Sequence, residues 1–474
     1  MFFDLKEDLV NSSQIFDYCI VGAGAAGITI ANELSKAKEK AIALCEAGDI
    51  KYTPSSQDCY KGEVQGDHYF PLDVCRLRYF GGSTGHWGGL CRPLDPYDFD
   101  RSDISSILKW PINFSEYDKY RSKACNILEI SDTFQDIKHS KDIQEIHFEY
   151  SPPVRMGEKF YPLFNSSKNL HVFLNAALID IGGSEGKVKF LTFMSPKKKK
   201  VNIYARKFIF AMGGIEIPRY LLYFSKKYGN SFFSANLPIG HYWMEHPTNH
   251  MGEGLINRKV TDKKRVFFAL NEDKLKKYGL LNCSLATSRQ NSKGIAPVLE
   301  NLLCEAPSVG KKFANLFSKN LLCGIKIRYA QEQMPVYSNK INLSDKTDEL
   351  GIPRSILNWK VSDYDYQTLL QNFNSFNYWL MKNNLGRVKL YDWALNNSPP
   401  PRNDEIGGNH HMGGTRMSSS PSFGVVDSNC KVHGSNNIYI AGSSIFPSGG
   451  HANPTLSIIQ LSLRLADHLR KIDV

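Results

Sequence analysis

The chain has 474 residues, 42% hydrophobic and 22% charged, a globular balance that excludes wholesale disorder and is too long for one ordinary core. The formal net charge is +11, but the excess is local, in the lysines at 197–200 and in Lys263, Lys264, Arg265, Lys274, Lys276 and Lys277. Neither run is interleaved with aromatics. They read as a solvated loop and a solvated helix face, not a nucleic-acid surface, with an anionic partner as the alternative. The ten cysteines are scattered without a Cys-x-x-Cys pair, so no metal site is expected and a reducing compartment is. The acidic first sixteen residues are not a secretory signal, and no apolar run reaches membrane-span length. A soluble cytoplasmic protein is expected, with no transmembrane segment.

In chain order, residues 16–21 read as a strand, 22–27 (GAGAAG) as a glycine turn, 28–34 as a helix and 41–44 as a second strand leading to Glu46. The glycines have separate tasks: Gly22 permits the tight turn, Gly24 lets the backbone approach a pyrophosphate, and Gly27 lets the helix pack on the strand. The N–H groups of the helix start, at Ala25 and Ala26, then face the phosphates. Glu46 lies 19 residues after Gly27, where a carboxylate accepts ribose hydroxyls. A plain glycine turn leaves Glu46 unexplained, so dinucleotide binding is the reading.

Residues 170–211 read as a β-meander with strands at 171–174, 187–193 and 201–204 separated by Gly-Gly or Lys-rich turns, followed by an apolar strand at 207–212 that ends at Gly213 and Gly214. The stretches 107–165 and 247–395 are irregular and richer in aromatics. They read as a second domain inserted into the first, which takes residues 13–106, 166–246 and 396–474. Toward the end, 437–440 reads as a strand, 441–444 as a turn at Gly442, and 449–455 (GGHANPT) as the lead into a final helix. Leu456, Ile459, Leu463 and Ala466 make its buried face. Asn453 is placed as N-cap and Pro454 at the first helical position.

Four segments in this order resemble the glucose-methanol-choline (GMC) oxidoreductase family: GAGAAG at 22–27; FGGSTGHWGG at 80–89; 213–218 with 240–247; and HMGGTRM at 411–417 with GVVD at 424–427 and ANPT at 452–455. The STGHW stretch and the ANPT ending are similar to the branch holding pyranose 2-oxidase and the membrane-associated sugar dehydrogenases. The chain departs from that branch at Gly88 and at His451.

The resemblance implies an α/β protein, a Rossmann-like FAD-binding domain with an inserted α+β substrate-binding domain. It implies oxidation of an alcohol, with sugars or sugar-like secondary alcohols first among substrates. The electron acceptor is oxygen, a quinone or a protein; the oligomeric state is left open. FAD would be held by Gly22, Gly24, Ala25, Ala26, Gly27, Glu46, Gly82, Ser83, His86, Trp87, Gly88, Val172, Gly213, Gly442, Asn453, Pro454 and Thr455. A single dinucleotide turn, and a final helix whose positive end points back at the cofactor, favour a flavin over a nicotinamide.

The resemblance assigns His411 and Asn453 as the catalytic pair, base and oxygen ligand, with His451 as a candidate second base. His410 could instead be the functional histidine, and Asn453 only a cap. His86 is a candidate for a covalent bond to the flavin, against simple packing beside it. A lyase that holds FAD without net redox chemistry is the competing reading.

Overall fold

A computed structural model describes residues 1–7, 14–256, 265–289, 306, 325–401 and 407–472. Lys263 and Lys264 of the second basic run lie outside the described residues.

The strand Ile15–Val21 is almost wholly buried and lies at the centre of an eight-stranded sheet. Its parallel neighbours are Ile42–Cys45 on one side and the C-terminal half of Lys200–Phe210 on the other, with Cys19 opposite Ala43 and Phe208. Ile438–Ile440 adds in parallel to the far side of Phe208. Helices Ala25–Leu34 and Pro454–Lys471 contribute buried faces to the same core. This is the Rossmann-like arrangement that the glycine turn implied.

The expected meander differs in three places. Leu170–Leu174 is not its first strand: it runs parallel between Phe2–Asp4 and Ile42–Cys45, with Val172 opposite Phe2 and Leu44. The strand is buried on both faces, which is why it reads as a near-continuous apolar run. Next, the pieces expected at 201–204 and 207–212 are one strand, Lys200–Phe210, which pairs antiparallel with Lys187–Met194 at one end and parallel with Ile15–Val21 at the other. Last, Gly182 and Gly183 are not a turn. They lie in the strand Ala177–Ser184 at a register shift, and the chain reverses at Glu185 and Gly186, both with positive φ.

A second, antiparallel sheet of seven strands runs in the order Gly386–Leu390, Thr248–Ile256, Ile325–Gln331, Cys283–Arg289, Arg265–Leu270, Ile143–Glu145, Ile137–Lys138. Helix Asp363–Lys382 covers it with Leu369, Phe373, Phe376, Trp379 and Leu380. Ser362 begins that helix with a capping box closed by Asp365. Residues 107–165 divide between the cores: Ile143, on a strand of this sheet, joins the second core, whereas Trp110, Tyr117, Ala124, Met156 and Phe164 pack on the first. A small sheet of Glu63–Gly66, Pro353–Trp359 and Lys340–Thr347 contributes to a third cluster with Trp243. The lysines at 197, 198 and 200 are exposed at the turn before Lys200–Phe210, with Lys197 paired to Glu7 at 2.7 Å.

Candidate active site

The C-terminal ends of the central strands open on a cavity of about 460 Å³. Its floor is the glycine turn. Gly22 has φ +100°, and a Cβ on Gly27 would lie 1.9 Å from the Gly22 carbonyl oxygen, so neither position accepts a side chain. A Cβ on Gly24 would meet nothing within 4 Å. Gly24 therefore keeps open space that belongs to the cavity rather than to packing. No side chain caps the helix Ala25–Leu34, which leaves its first N–H groups for a ligand. Glu46 is buried at the rim; its two oxygens accept from the N–H of Ala23 and of Gly48, each at 2.8 Å. One carboxylate thus pins the turn, and its further lone pairs remain for a hydroxylated ligand.

The opposite wall comes from residues far along the chain. Gly82, Ser83, His86, Trp87 and Gly88 line it, with Gly213, Gly442, Asn453, Pro454 and Thr455. Cβ atoms on Gly88, Gly213 and Gly442 would also meet nothing within 4 Å. Trp87 is oriented by its Nε1–H, which donates to the Val154 carbonyl at 2.9 Å. Partial burial, and then Arg155, push His86 below the ordinary histidine range, so its ring is neutral at neutral pH.

His411 sits at this wall, nine-tenths buried, its ring stacked on Trp243 at 5.8 Å between centroids. Its Nε2 has no protein partner. Burial, and then the positive charge of Arg76, push its pKa down to about 3, so the ring is neutral. Its own carbonyl is held by the Ser443 hydroxyl at 2.6 Å. Asn453 precedes the final helix and its side chain caps no helical N–H, although the chain is positioned for it. A buried, unpartnered imidazole nitrogen and a free amide on one cavity wall are groups still waiting for a ligand.

Three expected site residues do not line the cavity. Gly27 packs against the Gly22 carbonyl instead. Val172 is fully buried in the parallel sheet, where its N–H donates to the Met1 carbonyl at 2.9 Å. Leu178, six positions on and in the edge strand Ala177–Ser184 of the same sheet, lines the cavity instead; Asn175, with φ +54°, lies in the turn between the two strands. His451 faces away toward a buried charged group: its Nε2 is 3.9 Å from Asp95 Oδ2, and Asp95 pairs with Arg92 at 2.8 Å.

Other lining residues carry no sequence motif. Arg76 lies 4.0 Å over the Tyr60 ring and pairs with Glu216 at 2.8 Å; Glu216 in turn pairs with Arg219 at 2.8 Å. The short basic pair Arg76 and Arg78 just before FGGSTGHWGG was the one available signal. His410 lines the cavity as well. Its Nδ1 is 2.9 Å from His246 Nδ1, so one ring donates to the other. Among the described residues, no group of three or more His, Cys, Asp or Glu could hold a metal ion, and no helix is long and apolar enough to cross a membrane.

A glycine cradle with room for a pyrophosphate, an acid at its rim and a second wall built from the C-terminal segment define an FAD-type dinucleotide fold. Residues 335–462 match the family model described as GMC oxidoreductase. That C-terminal segment is similar to GMC oxidoreductases, and the cofactor the cradle fits is FAD.

The chain is 24% identical to the fructose dehydrogenase large subunit of Gluconobacter japonicus over 60% of its length, and it spans about half, 51%, of that relative. It is 21% identical to the 2-methyl-1,2-propanediol dehydrogenase of Mycolicibacterium austroafricanum, over 98% of this chain and 96% of the relative. Among solved structures, pyridoxine 4-oxidase from Mesorbium loti superposes with a TM-score of 0.58 at 14% identity, covering 96% of this chain and 99% of that one. Formate oxidase gives 0.56 at 17%, covering 98% and 99%. At these identities the superpositions speak to the fold.

Proposed function

We propose that the chain oxidises an alcohol at a CH–OH carbon, with a sugar or sugar-like secondary alcohol as the substrate class. The observation that carries the reading is the His411 Nε2, buried without a partner on the same cavity as the dinucleotide cradle. Bound FAD supplies the hydride acceptor. His411, neutral because it is buried, accepts the hydroxyl proton at Nε2. The Asn453 amide donates to the substrate oxygen as negative charge gathers there. Gly22, Gly24, Ala25 and Ala26 hold the pyrophosphate, and Glu46 the ribose. The named alcohol-oxidising relatives, fructose dehydrogenase and the diol dehydrogenase, support this class of donor. The electron acceptor is oxygen, a quinone or a protein.

The test is anaerobic mixing of the holoprotein with fructose and other sugars, polyols, nucleosides and pyridoxine. Bleaching of the flavin by one of them is expected, followed by re-oxidation with air or a quinone. A flavin that no alcohol bleaches would overturn the reading in favour of a redox-silent lyase. His86, neutral and on the cavity wall, is proposed as the site of a covalent flavin link. Flavin released wholly to the supernatant on acid precipitation excludes that bond.

A further inference from the structure

The two histidines at the cavity wall stand on an arch. Residues 244–247 and 407–412 run antiparallel and are bridged at both ends, Met244 to Met412 and Pro247 to Gly407. Between the bridges one segment has only Glu245 and His246, whereas the other has Gly408, Asn409, His410 and His411. The longer segment must bow outward, and its N–H groups lose the ladder partners a regular pair would give them.

Glu245 fills the arch. It is fully buried, and its Oε1 accepts from the N–H of His410 at 2.8 Å, of Gly408 at 3.2 Å and of His246 at 2.7 Å. Its Oε2 accepts from the Tyr69 hydroxyl. The next residue, His246, holds the His410 ring. A Cβ on Gly407 would lie 2.8 Å from Glu245 Cγ and 2.9 Å from Oε2, so the carboxylate occupies the space a side chain there would need. Asn409 takes the one left-handed backbone conformation in the bow, with φ +58°.

We propose that Glu245 is a positioning residue: its carboxylate shapes the 407–412 arch and thereby sets how His410 and His411 face the cavity. It touches neither cofactor nor substrate in this scheme. It replaces the missing backbone acceptors of the bow. The inference rests on the proposed role of His411 for its kinetic consequence only; the placement of the rings is independent of that role.

The experiment uses the FAD-loaded protein with Glu245→Ala, Glu245→Gln and Gly407→Ala. Two quantities are read: the position of the His411 ring relative to Trp243 in crystal structures, and the rate of anaerobic flavin reduction per bound FAD. Glu245→Ala is expected to shift the ring off Trp243 and slow reduction by roughly tenfold to a hundredfold, the scale of a misplaced reacting group. Glu245→Gln keeps an amide oxygen for the backbone N–H groups, so it should hold the ring and stay within about threefold. Gly407→Ala should copy Glu245→Ala by displacing the carboxylate.

An unmoved ring with a wild-type rate per flavin in Glu245→Ala overturns the proposal. So does a variant that loses only stability or FAD content while each bound flavin is reduced normally. If Glu245→Ala does not fold, an unmoved His411 in Gly407→Ala overturns it equally. Should no alcohol reduce even the wild type, the alcohol-oxidation reading fails, and ring position alone still decides the role of Glu245.

Discussion

The glycine turn at 22–27 and the histidine arch at 407–412 face the same cavity but are made in different ways. The turn is local. Its shape follows from one positive φ at Gly22 and one close approach at Gly27, and its partner Glu46 directly follows the next strand, Ile42–Cys45. The arch is assembled from a distance: Glu245 and His246 supply what Gly408 and His410 lack, across more than 160 positions of sequence. The first kind of site withstands loss of its surroundings better than the second. Substitutions in the turn should therefore act on cofactor binding, and substitutions in the arch on the rate of chemistry with the cofactor still bound.

The largest effect is expected from Gly24→Glu. A Cβ fits at this position, so the fold should persist, but the carboxylate would occupy the phosphate space and repel its charge. Purified variant protein should be colourless with a normal circular dichroism spectrum. Full flavin content in that variant would break the assignment of the cradle.

His411→Ala should separate the two regions most cleanly. FAD content is expected to stay near wild type while flavin reduction falls by roughly a hundredfold or more, the scale of a lost general base. His410→Ala is the control. If it loses the rate and His411→Ala does not, the roles of the two adjacent residues are exchanged.

A third test uses pH. The folded pKa of His411 lies near 3, below the ordinary histidine value, because burial penalises the imidazolium. The unfolded chain then binds the extra proton first. The contribution of this group is whole above about 6.5 and is lost as pH falls toward the folded value. The buried carboxyls oppose this: Glu245 is raised to about 7 and Asp98 to about 8, both chiefly by burial, so each favours the folded state on acidification. A difference measurement isolates the histidine. The melting temperature of His411→Gln relative to wild type should rise as pH is lowered from 7 to 4. A constant offset across that range would mean that the ring takes up a proton while folded.

The smallest effect is expected where neither region is touched. Replacing the lysines at 197–200 by serine removes side chains from an exposed turn, and turnover should remain within a few-fold. A collapse of turnover with normal flavin content would point to an anionic substrate or docking partner instead.

What was legible in sequence follows the same division. The strand Ile15–Val21, the glycine turn and the helix after it could be read because the features that specify them are close together: apolar runs, obligatory glycines and a rim acid. The final helix was legible through its apolar spacing and the proline at its first turn. The meander was misread because a strand buried on both faces and a strand in a meander share the same short apolar signature. Only pairing partners distinguish Leu170–Leu174 from Ala177–Ser184. Val172, named through the resemblance, lies inside the sheet, and Leu178, which no motif marks, lines the cavity.

By itself, the sequence determined a dinucleotide cradle, a GMC-like order of motifs and the histidines and asparagine that end on one wall. Those features depend on backbone freedom and residue type at fixed short spacings, which a linear chain records. The tertiary structure alone decided that Asn453 spends no hydrogen bond on capping, that His451 turns toward Asp95 rather than the cavity, and that Arg76 joins the wall through Glu216. It also decided that His411 is neutral and stacked on Trp243. Burial, stacking and the direction of a side chain are properties of the neighbours a residue acquires on folding, and those neighbours come from parts of the chain that no local pattern connects.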